Sequence, residues 1–85
     1  MKFSYAYVTN EETRAIKDRL VRQHAKAFLT WRLGHPVRRT WSLARALRIW
    51  WLYHGPVAFT STEDRRLYKE EVRQLIMTLY HDSAT

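Results

Sequence analysis

The sequence predicts a mainly α-helical fold: a compact three-helix domain with a short N-terminal β-strand. Apolar residues recur every three or four positions within 10–33, 40–54 and 61–80, which is the period of one helix face. These stretches are separated by the chain's only glycines and prolines, which end helices or form turns. At 85 residues the chain has the length of one domain, so we assign 1–85 to a single unit.

Residues 2–8 alternate in a way that is typical of a β-strand. Phe3, Tyr5 and Tyr7 share one side, and aromatic residues favour strands. A single strand needs a partner for its backbone hydrogen-bonding groups. We predict that it pairs with residues 56–60 or with its own copy in a dimer, and an unpaired, ordered arm is the third alternative.

The first predicted helix follows the segment TNEE at 9–12, whose first and last residues have the spacing of a capping box. The helix is expected to end near Leu33, because Gly34 can adopt the left-handed backbone and Pro36 cannot continue the turn. We expect His24 to pack in the core, since it lies on the apolar face. Seven side chains form that face: Ile16, Leu20, Val21, His24, Ala27, Phe28 and Trp31.

The second predicted helix contains two adjacent tryptophans, Trp50 and Trp51. Neighbouring helical residues point about 100° apart, so we expect Trp50 to face one neighbouring helix and Trp51 to face the other helix or the strand. The alternative is that one ring is exposed and meets a partner. Because this helix is apolar on nearly every side, we predict that it is central and packs between the other two. Gly55 and Pro56 are expected to end it.

The third predicted helix follows the segment TSTE at 60–63, which again has capping-box spacing. Arg66–Glu70 and Glu70–Arg73 have the spacings of ion pairs on a helix surface. Five residues form the expected core stripe: Tyr68, Val72, Leu75, Ile76 and Leu79.

Charge is distributed unevenly along the chain. The net charge is +7, but residues 19–62 contain no Asp or Glu and carry +8 by themselves. Residues 1–18 are neutral, and residues 63–85 carry −1. An acid-free basic segment favours a polyanion or an acidic protein as partner.

The candidate binding surface combines arginines with an aromatic ring on one face of the second predicted helix. Two further arginines lie just before this helix, and a second basic stripe lies on the first predicted helix. A guanidinium group contacts phosphate oxygens bidentately, and an indole ring stacks on bases. The expected contact residues are Arg38, Arg39, Trp41, Arg45 and Arg48 on the first surface and Arg19, Arg22 and Lys26 on the second.

We therefore predict a small, basic, non-enzymatic protein that contacts the phosphate backbone of a nucleic acid. The alternative is an adaptor or inhibitor of the kind found in phages and mobile elements, which binds a larger host protein through the same Arg/Trp surface. That host protein would be acidic or would process nucleic acids. Two further alternatives are solvated helix faces without a target and a helix lying on an anionic membrane surface.

The sequence does not favour catalysis, a metal or a cofactor. The chain has no cysteine, and its four histidines lack the spacing of a metal site. The basic segment contains no carboxylates that could hold a catalytic metal, and no glycine-rich phosphate loop occurs. No apolar stretch approaches the roughly 20 residues of a membrane span, and no signal-peptide pattern occurs, so a cytoplasmic location is expected.

Overall fold

The computed structural model describes residues 2–55 and 57–84, with side chains through Tyr80. The described residues form four α-helices, which confirms the prediction of a mainly α-helical fold. The helices are α1 (Glu11–Leu33), α2 (Pro36–Thr40), α3 (Leu43–His54) and α4 (Thr62–Ala84). A short 3-10 helix (Tyr5–Tyr7) precedes them. None of the described helices is long and apolar enough to cross a membrane.

The core forms where α3 packs on the pair of long helices. Ten buried hydrophobic side chains make up this core: Val21, Ala25, Phe28, Ala46, Leu47, Trp50, Trp51, Tyr68, Val72 and Ile76. Because α1 and α4 contact each other directly, α3 does not separate them, and the prediction of a central second helix is wrong. The Lys17–Glu71 ion pair and the His24–Tyr68 hydrogen bond both join α1 to α4.

The adjacent tryptophans are both core residues. Trp50 is 3% exposed and Trp51 is 5% exposed. Trp50 meets Phe28 of α1 edge-to-face, with ring centroids 6.0 Å apart, and Trp51 lies 6.0 Å from Tyr68 of α4. Trp51 also stacks on Phe59, in the segment before α4. The prediction that the two rings face two different neighbouring elements is confirmed.

The prediction of an N-terminal strand is wrong for the described residues. Phe3 forms one parallel bridge with Phe59. In this bridge the Phe3 amide donates a hydrogen bond to the Ala58 carbonyl, and the Thr60 amide donates one to the Phe3 carbonyl. The chain then turns, because the Tyr5 amide donates to the Asp64 carboxylate instead of to a neighbouring strand. The predicted partner segment is therefore correct in position but contributes a single bridge; its first residue, Pro56, lies outside the described residues.

The first predicted helix is confirmed, but both of its ends differ in detail from the sequence prediction. Asn10 caps α1 and exchanges hydrogen bonds with Thr13, so the capping box lies one residue later than expected. Gly34 has a right-handed backbone with φ of −75°, not the left-handed one. Pro36 then starts α2, since a proline at the first helical position loses no hydrogen bond.

The second predicted helix is divided in two by the structure. Residue 40 ends α2, and the longer helix α3 begins only at Leu43, where the Ser42 hydroxyl accepts a hydrogen bond from the Arg45 amide. Gly55 ends α3 in the left-handed region, with φ of 41°. A proline that ends one helix can also begin the next, and this second role of Pro36 was not recognised in the sequence.

The third predicted helix, 61–80, is confirmed and extends four residues further, to Ala84. Its start is held by Ser61 rather than by Thr60 and Glu63, because the Ser61 hydroxyl accepts a hydrogen bond from the Asp64 amide. Glu63 instead pairs with Arg66, which replaces the predicted Arg66–Glu70 pair.

Candidate nucleic-acid interface

A cleft of about 410 Å³ runs between α3 and α4, and basic side chains dominate it. Leu47 and Ala44 supply apolar surface from α3, and the cations come from both helices. We name this feature the α3–α4 cleft; its residues are Ala44, Leu47, Arg48, Thr62, Arg65, Arg66, Lys69, Glu70 and Arg73.

The cleft is basic because cations outnumber acids on the side of α4 that lines it. Arg65, Lys69 and Arg73 recur every four residues and therefore share one face, which lines the cleft with α3. Two acidic side chains of α4 make contacts away from the cleft: Asp64 accepts a hydrogen bond from the Tyr5 amide, and Glu71 pairs with Lys17 of α1. Glu70 lines the cleft itself. The near-zero charge of residues 63–85 therefore conceals a strongly basic side.

Two of the cleft's cations are neutralised locally. Arg66 binds Glu63 through two nitrogens, at 3.0 and 2.6 Å, and Arg73 binds Glu70 at 3.1 and 2.7 Å. The Arg73 hydrogen bond lowers the pKa of the Glu70 carboxyl to about 2, so this acid stays ionised. Among the described side chains, these pairs leave Arg48, Arg65 and Lys69 as the cations of the cleft that have no ion pair.

Arg48, Arg65 and Lys69 converge without an acidic partner among the described side chains. Burial and then the neighbouring charges of Arg65 and Arg48 lower the pKa of the Lys69 amine. The Lys69 nitrogen lies 5.6 Å from the Trp51 ring centroid, a cation–π contact that holds it on the core. The arrangement raises the local positive potential, and an anion in the cleft would relieve the repulsion.

A second cluster lies at the corner formed by α1, α2 and α3. The Arg38 guanidinium lies 4.3 Å above the Trp31 ring and donates to the Trp31 carbonyl at 3.1 Å. The ring centroids of Trp31 and Trp41 are 6.2 Å apart, and the Arg45 guanidinium carbon lies 5.7 Å from the Trp41 ring centroid. Arginines and half-buried indoles therefore alternate here, and both indole rings already have partners.

Arg32 holds this corner in place. Its side chain is only 7% exposed, and its Nη2 donates to the Trp41 carbonyl at 2.8 Å and to the Arg39 carbonyl at 3.3 Å. The guanidinium also lies 5.9 Å from the Tyr80 ring. One of the eight cations in the acid-free segment is therefore a buried side chain that hydrogen-bonds the backbone, and it is not a contact for a partner.

The structure places the predicted contact residues in four settings: the α3–α4 cleft, the Trp31–Trp41 corner, a groove on α1, and exposed positions. Arg48 lines the α3–α4 cleft, whereas Arg45 lies beside Trp41, which precedes α3 instead of lying on it. The cations of α1 do not join the cleft: Arg22 lines a different groove with Asp18, Glu70 and Glu71. Three predicted contact residues are exposed without a described ion pair: Arg19, Lys26 and Arg39.

Sequence reasoning missed the α4 side of the cleft. Arg65, Lys69 and Arg73 were available as a four-residue repeat on the third predicted helix. Their proximity to acidic neighbours in the sequence made that helix look neutral, although Glu70 is the one acid of α4 among the residues that line the cleft.

Comparisons with protein-family models, curated proteins and solved structures find no match to this chain. The described residues contain no group of three or more His, Cys, Asp or Glu side chains that could hold a metal. The geometry of the cleft and its surroundings is therefore the basis for assigning a function.

Proposed function

We propose that this chain is a small, non-enzymatic nucleic-acid-binding protein that holds the phosphate backbone in the α3–α4 cleft. One observation carries the proposal: Arg48, Arg65 and Lys69 converge in a cleft with no acid assigned to them among the described residues. Polyanions are the ligands for which such a concentration of fixed positive charge is suited.

The chemistry of phosphate binding fits the residue types. Arg48 and Arg65 can each donate two parallel hydrogen bonds to one phosphate, and Lys69 adds a point charge in the same cleft. Arg45 lies three residues before Arg48 on the same helix and extends the basic surface. The remaining predicted residues, Arg38, Arg39, Arg19, Arg22 and Lys26, contribute to the general attraction rather than to the cleft.

The expected salt dependence follows from the number of contacts. Four phosphate contacts, from Arg45, Arg48, Arg65 and Lys69, give a slope of log K against log salt of about −2.8 for single strands and about −3.6 for duplex. Between about 50 and 200 mM salt, affinity should therefore fall about 50- to 150-fold.

Fluorescence anisotropy with labelled single- and double-stranded oligonucleotides at these two salt concentrations tests the proposal. Micromolar or tighter binding at the lower concentration, with the predicted loss at the higher one, supports it. Absence of binding to both kinds of oligonucleotide at about 50 mM salt contradicts it, since that condition favours phosphate contacts most strongly.

A second candidate function is an adaptor or inhibitor that docks on a larger protein. It is favoured by two neighbouring apolar side chains on α3, Leu52 and Tyr53, which are both strongly exposed. An interface centred on such residues would depend on salt much less than phosphate binding does. A partner that binds with an unchanged affinity between the two salt concentrations would favour this second function.

A further inference from the structure

We infer that a groove at one end of the α3–α4 cleft binds an unpaired nucleobase of the strand whose phosphates lie in the cleft. This inference rests on the proposed function and adds to it a base-binding site, with a single-stranded ligand at that site. We name the feature the Leu52 groove; the side chains that line it include Trp51, Leu52, Phe59, Thr60, Thr62 and Arg65.

The Leu52 groove and the α3–α4 cleft form one continuous surface. Thr62 and Arg65 line both of them, and the groove has a volume of about 490 Å³. Leu52 follows Arg48 by four residues, which places it about 6 Å further along the axis of α3 and about 40° around it. A ligand whose phosphate binds Arg48 and Arg65 can therefore extend directly into the groove.

The apolar part of the groove is built from side chains that are already held in place. Phe59 is half-buried and stacks on Trp51, with ring centroids 6.4 Å apart, and its ring also contacts Phe3 and Tyr68. Since these contacts fix the rings, a ligand binds against them without first ordering them. Leu52 completes the apolar lining and is 75% exposed. The flat face of a nucleobase can lie against aromatic and aliphatic side chains of this kind.

Hydroxyl groups form the polar part of the groove. The Thr60 hydroxyl donates to the Asp64 carboxylate at 2.8 Å, so its oxygen keeps a lone pair with which it can accept a hydrogen bond. Among the described residues the Thr62 hydroxyl has no hydrogen-bond partner, so it is free to donate or to accept. A nucleobase combines an apolar face with an edge of donors and acceptors, and it therefore matches both parts of this lining.

The other candidate rings lie outside this surface. Trp41, which the sequence predicted as the stacking residue, contacts Trp31 and has the Arg45 guanidinium carbon 5.7 Å from its ring centroid. A base would have to displace one of these partners to stack there. Tyr53 is open to solvent, but it lies about 140° around α3 from Arg48 and lines neither the cleft nor the groove.

Occupation of the Leu52 groove requires an unpaired base. In a duplex the face of each base is stacked on its neighbours, so a base reaches a protein groove only when it is turned out of the helix. The bases of a single strand can be splayed out without that cost. A duplex can still bind the cleft through its phosphates, but it leaves the groove empty.

The test compares three labelled ligands at about 100 mM salt: a 20-nucleotide single strand, an abasic strand with the same number of phosphates, and the duplex of the first strand. We expect the wild type to bind the single strand at least about 10-fold more tightly than the abasic strand. Leu52→Ala should weaken single-strand binding about 5-fold or more and leave the other two ligands unaffected, because neither places a base in the groove. Leu52→Met should keep wild-type affinity, since it retains an apolar side chain of similar volume.

Tyr53→Ala is the matched control, because Tyr53 is the next residue of α3 and is 83% exposed but does not line the groove. It should bind all three ligands as the wild type does. Both side chains are largely exposed, so both alanine variants should fold, which circular dichroism checks.

Equal wild-type affinity for the single and abasic strands overturns the inference and leaves phosphate binding in the cleft intact. A Leu52→Ala loss that the abasic strand or the duplex shares, or one that Tyr53→Ala matches, has the same consequence. If none of the three ligands binds, the proposed function fails as well. A protein partner whose binding is lost in Leu52→Ala, together with unchanged single-strand affinity, overturns the inference in favour of a protein interface.

Discussion

At the scale of single residues, the position of a charge decides its role more than its type does. Arg32 and Arg48 are both arginines of the acid-free segment. Arg48 lines an open cleft, whereas Arg32 is buried and donates two hydrogen bonds to backbone carbonyls. The sequence shows how many cations this segment has but not which of them are buried, because the burial of Arg32 depends on how α2 folds back on α1.

The two hydrogen bonds from Arg32 to backbone carbonyls lead to a prediction for stability. Arg32→Met keeps much of the apolar stem but removes both hydrogen bonds from the charged donor, which should lower the free energy of unfolding by about 2 kcal/mol. For a domain of this size that corresponds to a fall in Tm of roughly 10 °C, measured by circular dichroism. The control Arg39→Met removes an exposed arginine and should change stability by less than about 0.5 kcal/mol. If Arg32→Met matches the wild type in Tm, Arg32 does not hold the corner.

His24 links stability to pH. Burial lowers the pKa of His24 from its ordinary value of 6.5, and its ring is hydrogen-bonded to the Tyr68 hydroxyl. The unfolded chain therefore binds a proton at this position more readily than the folded chain does. Stability from His24 is full above about pH 6.5 and is lost as the pH falls through the lowered folded-state pKa.

We therefore expect Tm to fall between pH 7 and pH 5, and to fall less in His24→Gln. The carboxyls of Asp64 and Glu70 have lowered pKa values and stay ionised over this range, so they should not obscure the effect. His35→Asn is the control, because an exposed histidine is replaced by a residue that still caps α2. A pH dependence that is identical in the wild type and His24→Gln would contradict this role.

At the scale of elements, helix periodicity predicted the long helices well. The bounds of α1 agree closely because its caps and its apolar face lie within one continuous stretch of sequence. The strand prediction failed because alternation in residues 2–8 cannot reveal a competing acceptor: Asp64, distant in the sequence, takes the Tyr5 amide. The short helix α2 was missed because Pro36 was taken only as a helix terminator.

Gly55 gives the clearest prediction for an element boundary. Its φ of 41° lies in the left-handed region, and a Cβ placed there would meet nothing within 4 Å. Gly55→Ala should therefore destabilise the protein through the backbone alone, by about 1 kcal/mol in urea unfolding. Gly55→Asn should cost less, since Asn adopts this conformation more readily. Equal stability of the alanine variant and the wild type would show that the turn after α3 does not need glycine.

At the scale of the whole molecule, net charge predicted a basic protein but not where its binding surface lies. The arginines of α3 were identified from the sequence, yet their partners Arg65 and Lys69 come from a helix that is nearly neutral overall. The basic stripe on α1 has the same residue types as the cleft, but its side chains do not line a common cleft with those of another helix. Arg22 instead lines a groove that contains acidic side chains. Only tertiary packing distinguishes the two, because both stripes have helical spacing.

The most direct test of the central claim compares two charge reversals of equal size. Arg48→Glu with Arg65→Glu alters the cleft, and Arg19→Glu with Lys26→Glu alters α1; each pair lowers the net charge of +7 by four. Affinity for one labelled single strand is measured by anisotropy at about 100 mM salt, with the fold checked by circular dichroism. We expect a loss of about 100-fold for the cleft pair and only a several-fold loss for the α1 pair. Equal losses for both pairs, or a greater loss for the α1 pair, would contradict the assignment of the cleft as the binding site.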